Sequence, residues 1–190
     1  YFLPVIDEWE DLLGENAIIQ QRLKNVGVMD AKTALAYGTS GPVLRGSGVP
    51  LDLRKTQPYV AYDKVQFDVP VGTVGDSWDR YWVRIAEMRQ SIRIIEQLID
   101  GIPEGKTALV KPAIVIKVPE GIHYSQIETA RGILGTLMVG NGTGIPHRVH
   151  FRTPNFNNLW CASKISLGSK IADLVAIVSS LDLVIPDMDR

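Results

Sequence analysis

Few side chains in this 190-residue sequence are suited to metal binding or nucleophilic chemistry, because it has three histidines and one cysteine. His147 and His150 stand three apart in a segment that alternates like a strand, so their side chains are expected on opposite faces. His123 is distant and has no evident acidic partner, which favours surface or hydrogen-bonded histidines. Cys161 has no second cysteine or recognisable base nearby and is interpreted as a buried thiol. No metal site is predicted.

Charged side chains gather around one predicted helix start. Asp76 and Asp79 could form a carboxylate pair for acid–base chemistry, but at a helix N-terminus they are expected to cap the helix and to meet its dipole. A dispersed basic set could bind an anion, although buried ion pairs with nearby aspartates are favoured. The set is Arg45, Arg54, Lys55, Arg80 and Arg84, and the aspartates are Asp52, Asp63, Asp76 and Asp79. The catalytic residues remain unknown.

Three glycine clusters could suggest nucleotide binding: residues 38–41 (GTSG), 45–48 (RGSG) and 140–144 (GNGTG). The first two lack the Gly-Lys-Ser/Thr ending of a P-loop, and no helix start is expected after either. The third lies between two predicted strands, whereas a dinucleotide fingerprint opens a helix. Turns are therefore predicted at all three.

Composition sets the broad class. The sequence is 45% hydrophobic and 22% charged, which is typical of a globular protein with one core. Its formal net charge of −1 gives no overall field that would attract nucleic acid or an anionic membrane. One cysteine excludes an internal disulfide and an iron–sulfur cluster held by this chain alone. No stretch approaches the roughly 20 apolar residues that cross a bilayer.

Hydrophobic spacing predicts four helices. They are residues 4–25 with a break at Gly14 and a new cap at Asn16, 31–37 capped by Asp30, a long helix after Asp76 that Gly101 ends, and roughly 170–179. The long helix has an apolar stripe of Trp78, Tyr81, Trp82, Ile85, Met88, Ile92, Ile95 and Ile99. Its arginines, Arg80, Arg84, Arg89 and Arg93, fall mostly on other faces. The last helix is apolar nearly all round and is expected to be deeply buried, and Pro186 should leave an irregular tail.

Alternation predicts the strands. Val65, Phe67 and Val69 indicate a strand that Pro70 closes. Residues 111–152 are strand-rich, with alternation at Ile114, Ile116 and Val118 and a hairpin formed by 134–139 and 147–152. The segment 39–62 shows no clear period. The fold class is therefore α+β, a helical core with a small antiparallel sheet.

Several sequence strings, in order, resemble one family. They are 40–55 (SGPVLRGSGVPLDLRK), 58–63 (PYVAYD), 67–72 (FDVPVG), 75–81 (GDSWDRY), 87–91 (EMRQS), 128–132 (ETARG), 152–154 (RTP), 172–177 (ADLVAI), 180–182 (SLD) and 189–190 (DR). The sequence resembles the quinone-side large subunit of complex I, the D subunit of NADH–quinone oxidoreductase, which is related to the large subunit of nickel–iron hydrogenases. The match covers nearly the whole chain and is most specific up to about Glu104.

This resemblance implies a function and a setting. Residues 1–190 would form the C-terminal part of such a large subunit, with a nickel–iron hydrogenase large-subunit-like fold. The chain would hold no cofactor itself. It would help form a quinone cavity beside a terminal iron–sulfur cluster carried by a partner subunit, in an oxidoreductase coupled to proton translocation by membrane-arm subunits. Its place would be peripheral, on the cytoplasmic face of the membrane or on the matrix side in a mitochondrion, and the isolated chain would be inactive.

The tail carries the expected site. In hydrogenase relatives an Asp-Pro-Cys-x-x-Cys string supplies nickel thiolates, and Val184 and Asp187 stand where those cysteines would be. Valine has no donor atom, and a lone carboxylate does not replace soft thiolates at a nickel–iron centre. The resemblance therefore assigns Asp182, Val184, Asp187 and Arg190 to the quinone cavity. The alternative is that Val184 packs in the core and that Asp187 pairs with an arginine.

The sequence also departs from the family pattern. The segment between Pro103 and Glu128 is short, Ile133 stands in place of a usual glutamate, and residues 185–188 (IPDM) replace the more usual Phe-Gly-Glu-Val. These differences leave open a second function, a nickel-free scaffold related to membrane-bound hydrogenase large subunits, and a third, an autonomous soluble binding domain.

Overall fold

The computed structural model describes residues 2–105 and 116–189, which form helices around a core and one small sheet. The α+β prediction is confirmed. The helices are α1 (Phe2–Trp9), α2 (Ala17–Leu23), α3 (Ala31–Ala36), α4 (Pro42–Gly46), α5 (Leu53–Thr56), α6 (Ser77–Ile99), α7 (Pro154–Trp160), α8 (Ala162–Ile165), α9 (Ile171–Leu181) and α10 (Ile185–Met188). The strands are β1 (Gly121–Thr129), β2 (Gly132–Gly140) and β3 (Arg148–Arg152). Ile114 of the predicted alternation and Arg190 of the predicted site lie outside the described residues.

The first helices have the break and the caps that the sequence predicts, although α1 begins at Phe2 rather than Pro4 and α2 ends at Leu23 rather than Asn25. A π-helical turn, Glu10–Gly14, interrupts the first helical segment after α1. Asn16 then caps α2, because its side-chain oxygen accepts hydrogen bonds from the backbone N–H groups of Ile18 and Ile19. Asp30 caps α3 in the same way through the N–H of Thr33, 2.8 Å away.

Helix α6 is the central element of the fold, and it turns a different face inward from the one predicted. Asp76 caps it as expected, accepting from the N–H of Asp79 at 2.8 Å. Ile85 of the predicted stripe is buried, but Trp82, Ile95 and Ile99 are exposed, whereas Arg80, which lies off the stripe, is fully buried. Apolar spacing misjudged the inward face because Arg80 has hydrogen-bond partners inside the protein that this spacing does not reveal.

The segment 65–69 is extended but is not a strand, which corrects the prediction from its alternation. Its backbone N–H groups meet side chains of α6 instead of a neighbouring strand. Gln66 donates to Gln97 Oε1 at 2.9 Å, and Asp68 donates to Gln90 Oε1 at 3.0 Å. The buried residues of this segment pack with the second half of α6: Val65, Phe67 and Ile94.

The sheet is antiparallel with the strand order β1-β2-β3. The pairing of β1 with β2 runs from Gly121 opposite Gly140 to Thr129 opposite Gly132. The predicted hairpin is confirmed as β2 and β3. The alternating residues Ile116 and Val118 do not form a strand. The Val118 N–H donates to the Thr143 carbonyl, and the Val118 carbonyl accepts from the Gly142 N–H, so this segment pairs with the turn after β2.

The C-terminal helices differ from expectation in two ways. Helix α9 forms, but Ile171 is 92% and Val175 is 72% exposed, so the prediction of deep burial was wrong. Only one side of α9, including Ile177 and Leu181, packs into the main core, because the described elements cover one face alone. Pro186 lies in the first turn of α10 and does not prevent a helix, since the missing N–H there needs no partner.

The described residues contain no helix that is both long enough and apolar enough to cross a membrane.

Candidate functional site

The predicted site residues begin where α9 ends. Asp182 has a left-handed backbone conformation with φ 52°, which turns the chain away from the helix. Its carboxylate pairs with Arg131, with 3.2 Å between Oδ2 and Nε, and lies 3.7 Å from the Nε of Arg84. Val184 directly precedes α10, and Asp187 lies within it.

The structure brings Val184 and Asp187 together at one cavity of about 210 Å³, which we call the tail cavity. Its walls are the tail, the turn between β1 and β2, the start of β2 and the start of α7. Its lining residues are Thr129, Arg131, Leu134, Pro154, Asn155, Val184 and Asp187. Asp187 does not pair with an arginine among the described residues: its Oδ2 accepts from Asn155 Nδ2 at 2.6 Å. Val184 is half-buried in the cavity wall.

Asp182 lies apart from this cavity. It lines a larger cavity of about 460 Å³ on the other side of the turn at residues 129–131, which we call the charged cavity. Thr129 lines both cavities, Arg131 lines the tail cavity and Asp182 lines the charged cavity. Thr129 and the Asp182–Arg131 pair therefore lie between the two cavities. The four predicted site residues are thus divided: two line the tail cavity, one lines the charged cavity, and Arg190 lies outside the described residues.

Arg45 organises the charged cavity. Its side chain is 1% exposed, and its guanidinium bonds Glu87 at 2.5 Å and Glu128 at 2.8 Å, with the Asp52 carboxylate 3.8 Å away. Burial disfavours the charged form, but Glu87 and Glu128 outweigh it and hold the pKa of Arg45 above its ordinary value. Burial also raises the pKa of Glu128, against the opposing effect of Arg45. The cavity therefore has ion pairs built into its wall.

Two other members of the predicted basic set also belong to structural contacts. Arg54 Nη2 pairs with Asp52 at 2.6 Å, as expected from the sequence. Lys55 lies over the ring of Phe67, 4.2 Å from its centre. The structural interpretation of this set is confirmed for Arg45 and Arg54, although the two glutamates that hold Arg45 were not anticipated.

Arg80 makes contacts that the sequence did not predict. Its guanidinium donates to the carbonyls of Gly27 and Gly75 and to the hydroxyls of Ser77 and Ser180, all between 2.9 and 3.1 Å. Burial lowers the pKa of Arg80 to about 10. The ion pairs expected between the basic set and the aspartates do not include Arg80 in the described part of the chain, where backbone N–H groups engage the nearby carboxylates of Asp76 and Asp79.

Of those two carboxylates, Asp76 caps α6 as predicted, whereas Asp79 holds the loop before the helix. Asp79 Oδ2 accepts from three successive backbone N–H groups, those of Thr73, Val74 and Gly75, at 2.6 to 3.0 Å. The loop before α6 is therefore held by one buried side chain. Because both carboxylates accept from backbone N–H groups, the geometry favours the capping interpretation over an acid–base pair.

The remaining candidate side chains do not assemble a metal site. Cys161 is buried, as predicted, and its thiol donates to the Asn158 carbonyl at 2.8 Å. Burial raises the pKa of Cys161 to about 11, which disfavours the thiolate that a metal would bind. Within residues 2–105 and 116–189, no three His, Cys, Asp or Glu side chains lie close enough to hold an ion.

The glycine clusters lie in turns and bends as predicted, except that Arg45 and Gly46 of the second cluster end helix α4. Gly38, Gly41 and Gly48 have positive φ angles of 65°, 67° and 85°. One detail was wrong, because a helix does start after the first cluster: α4 begins at Pro42, which suits the first helical position. With five residues, α4 packs against α6 and is buried throughout.

Of the seven lining residues of the tail cavity, the sequence assigned only Val184 and Asp187 to a site, and the polar contacts of Arg131 and Asn155 were among those missed. Arg131 belongs to the string ETARG, but a single arginine between strands carries no signal of its partner 51 residues away. Asn155 follows Pro154, and proline at the first position of a helix is a recognisable start signal for α7. That signal would have indicated the helix, yet not the contact of Asn155 with Asp187.

Comparison with known proteins supplies the family. The family model described as "Respiratory-chain NADH dehydrogenase, 49 Kd subunit" matches residues 1–117 and 112–190. The chain is 46% identical over its whole length to the D subunit of NADH-quinone oxidoreductase from Desulforamulus reducens and to the D 2 subunit from Solibacter usitatus. It is 44% identical, over 98% of its length, to the D subunit from Carboxydothermus hydrogenoformans. In each case the chain spans 51% of the relative's length.

Proposed function

The chain belongs to the family of the 49 kDa subunit of respiratory-chain NADH dehydrogenase, and on that premise we propose that it walls the quinone pocket of an NADH–quinone oxidoreductase. Val184, Asp187 and Arg190 would face the quinone, with Asp182 holding the wall from behind through Arg131. The chain would act by shaping this pocket, while electrons pass to the quinone from a group held elsewhere in the complex.

One observation supports this proposal above the others. The tail reaches a cavity where apolar side chains stand beside polar ones: Leu134, Pro154 and Val184 beside Thr129, Arg131, Asn155 and Asp187. Apolar surface combined with a few placed polar groups is the usual character of a small-molecule site. The charged cavity is less suitable for a neutral quinone ring, since its wall is formed largely by ion pairs.

The proposal includes partners. Electrons would arrive from a terminal iron–sulfur cluster in a neighbouring subunit. The donors in this chain do not fit such a cluster, because its one cysteine is a buried thiol that donates to a carbonyl. Membrane-arm subunits would couple the reaction to proton translocation, and the chain would sit peripherally at the cytoplasmic or matrix face of the membrane.

Replacing Val184 by phenylalanine tests the proposal. The larger ring would fill part of the roughly 210 Å³ tail cavity. We expect the KM for a short-chain benzoquinone to rise by about tenfold or more, since even one methylene in an apolar pocket changes discrimination by about 10–200-fold. The measurement is NADH–quinone activity of the assembled complex. Val74→Phe is the matched control, because Val74 is exposed and lies outside the cavity. An unchanged KM and inhibitor sensitivity in a fully assembled Val184→Phe complex would contradict the proposal.

A further inference from the structure

The outer side of β1 is open over most of its length. Residues 121–127, which we call the β1 edge, form one border of the sheet, because β1 pairs only with β2 among the described strands. Ile122 is 75% and Tyr124 is 56% exposed. The β1 edge therefore presents both apolar side chains and backbone groups to its surroundings.

The pairing pattern shows which backbone groups of β1 point outward. In an antiparallel pair, residues that exchange two hydrogen bonds alternate with residues whose N–H and C=O point away from the partner strand. Glu128 is of the second kind, because its N–H donates to the Tyr59 hydroxyl at 3.1 Å and its carbonyl accepts from that hydroxyl at 3.3 Å. The register from 121 to 129 is unbroken, so Ile122, Tyr124 and Gln126 also turn their N–H and C=O groups outward.

These outward groups are open where those of Glu128 are closed by Tyr59. In the described part of the chain, no backbone group outside the sheet bonds Ile122, Tyr124 or Gln126. The open row spans five residues, roughly 17 Å of strand. A row of this kind is the template on which a further strand pairs.

The β1 edge also lacks the features that usually prevent a free edge from pairing. Such edges carry charged side chains, proline or a bulge, or they are very short. Residues 121–127 (GIHYSQI) contain no Asp, Glu, Lys, Arg or Pro, and their pairing with β2 has no bulge. The opposite border of the sheet differs, because β3 has only five residues and an arginine at each end.

From the open backbone row and its missing protection we infer that the β1 edge accepts a fourth strand from a partner polypeptide. The partner segment is extended and uncharged, with apolar residues beside Ile122 and Tyr124, and main-chain hydrogen bonds hold it. This contact lies beyond the proposed quinone pocket and does not depend on it.

A second copy of this chain fits the β1 edge less well than such a partner. Stable association of two free proteins buries about 1,000 Å² or more, which the pairing of one five-residue row does not provide. A strand that belongs to a larger assembly avoids this limit, because other contacts already hold it near the edge.

Amide hydrogen exchange tests the inference without a variant. The outward N–H groups of Ile122, Tyr124 and Gln126 should exchange about tenfold or more slowly in the assembled complex than in the purified chain. Ser125 is the internal reference, because its N–H faces β2 opposite Thr136 and should be protected in both samples. Equal exchange of the outward amides in the two samples would overturn the inference. Slow exchange in the purified chain that is lost on dilution would also overturn it, since the added strand would then be a second copy.

Ile122→Pro tests the same contact by competition. It removes one outward N–H at a position where an edge strand tolerates proline, so the purified variant should unfold in urea close to the unaltered chain. When equal amounts of variant and unaltered chain compete for assembly, the complex should incorporate the variant about tenfold less often, the effect expected for one lost hydrogen bond. Val149→Pro is the matched control, since the same alternation turns the Val149 N–H to the open side of β3.

Equal incorporation of Ile122→Pro and Val149→Pro would contradict a strand at the β1 edge. That outcome would leave the quinone proposal standing, because the proposal is tested by Val184→Phe at the tail cavity.

Discussion

Replacing Arg45 by methionine is expected to lower the free energy of unfolding by about 3–5 kcal/mol, the usual cost of removing one member of a buried ion pair. Arg45 is 1% exposed, and its partner Glu128 is 3% exposed. Methionine has a similar length but no charge, so the carboxylates of Glu128 and Glu87 would stay in the wall of the charged cavity without their common partner. Burial of an uncompensated carboxylate, rather than loss of packing, is the main cost.

Urea unfolding of the purified chain measures this effect. Arg93→Met is the matched control, because Arg93 pairs with Asp68 at 3.1 Å where the two side chains are 49% and 79% exposed. An exposed ion pair contributes only about 0–1 kcal/mol, so the control should unfold close to the unaltered chain. If Arg45→Met and Arg93→Met lowered the free energy of unfolding by similar amounts, the buried ion pairs of Arg45 would not stabilise the fold as described.

Gly41→Ala is expected to be a strongly damaging single change. Gly41 has φ 67° and ψ −150°, a backbone conformation essentially restricted to glycine, where a side chain costs about 1–3 kcal/mol. A Cβ there would also collide with the backbone of the β1–β2 turn, lying 2.6 Å from the Gly132 Cα and overlapping the Arg131 carbonyl oxygen. Relieving an overpacked contact costs about a further 1–3 kcal/mol, so the total is about 2–6 kcal/mol. The displaced turn is the one that carries Arg131 to the tail cavity.

Gly168→Ala separates the two causes. Gly168 has a similar positive φ of 80°, but no described atom lies within 4 Å of a Cβ built on it. Its substitution should cost only the backbone strain of about 1–3 kcal/mol. If urea unfolding showed that Gly41→Ala and Gly168→Ala lower the free energy of unfolding equally, the close contact between Gly41 and the β1–β2 turn would not explain the cost of Gly41→Ala.

Local signals in the sequence predicted local structure well. Asn16, Asp30 and Asp76 each cap the helix that follows, because a side chain that satisfies the first N–H groups needs only its own neighbours. The hairpin of β2 and β3 was also predictable, since the turn and the alternation lie in one short segment.

Burial was predicted poorly because it depends on distant partners. Apolar periodicity suggested the wrong inward face for α6, where Arg80 is buried by carbonyls of two loops. It also overestimated the burial of α9, where Ile171 and Val175 are exposed. Neither outcome can be read from the helix alone, since each depends on which elements pack against it.

The candidate site was predictable in part. Resemblance placed Val184 and Asp187 together, and the structure brings them to one cavity. It did not separate Asp182 from them, because the left-handed turn at Asp182 and its pairing with Arg131 come from contacts between distant segments. Asn155 was missed for the same reason, as its partner Asp187 lies 32 residues away.

The central claim is that the tail of this chain walls the quinone pocket. Photolabelling of the assembled complex tests this claim most directly. A short-chain azidobenzoquinone should attach to peptides that contain the tail-cavity residues, Arg131, Leu134, Pro154 or Val184, and an excess of the unmodified quinone should prevent it. Labelling confined to the exposed face of α9, at Ile171 and Val175, or labelling that quinone does not prevent, would contradict the account.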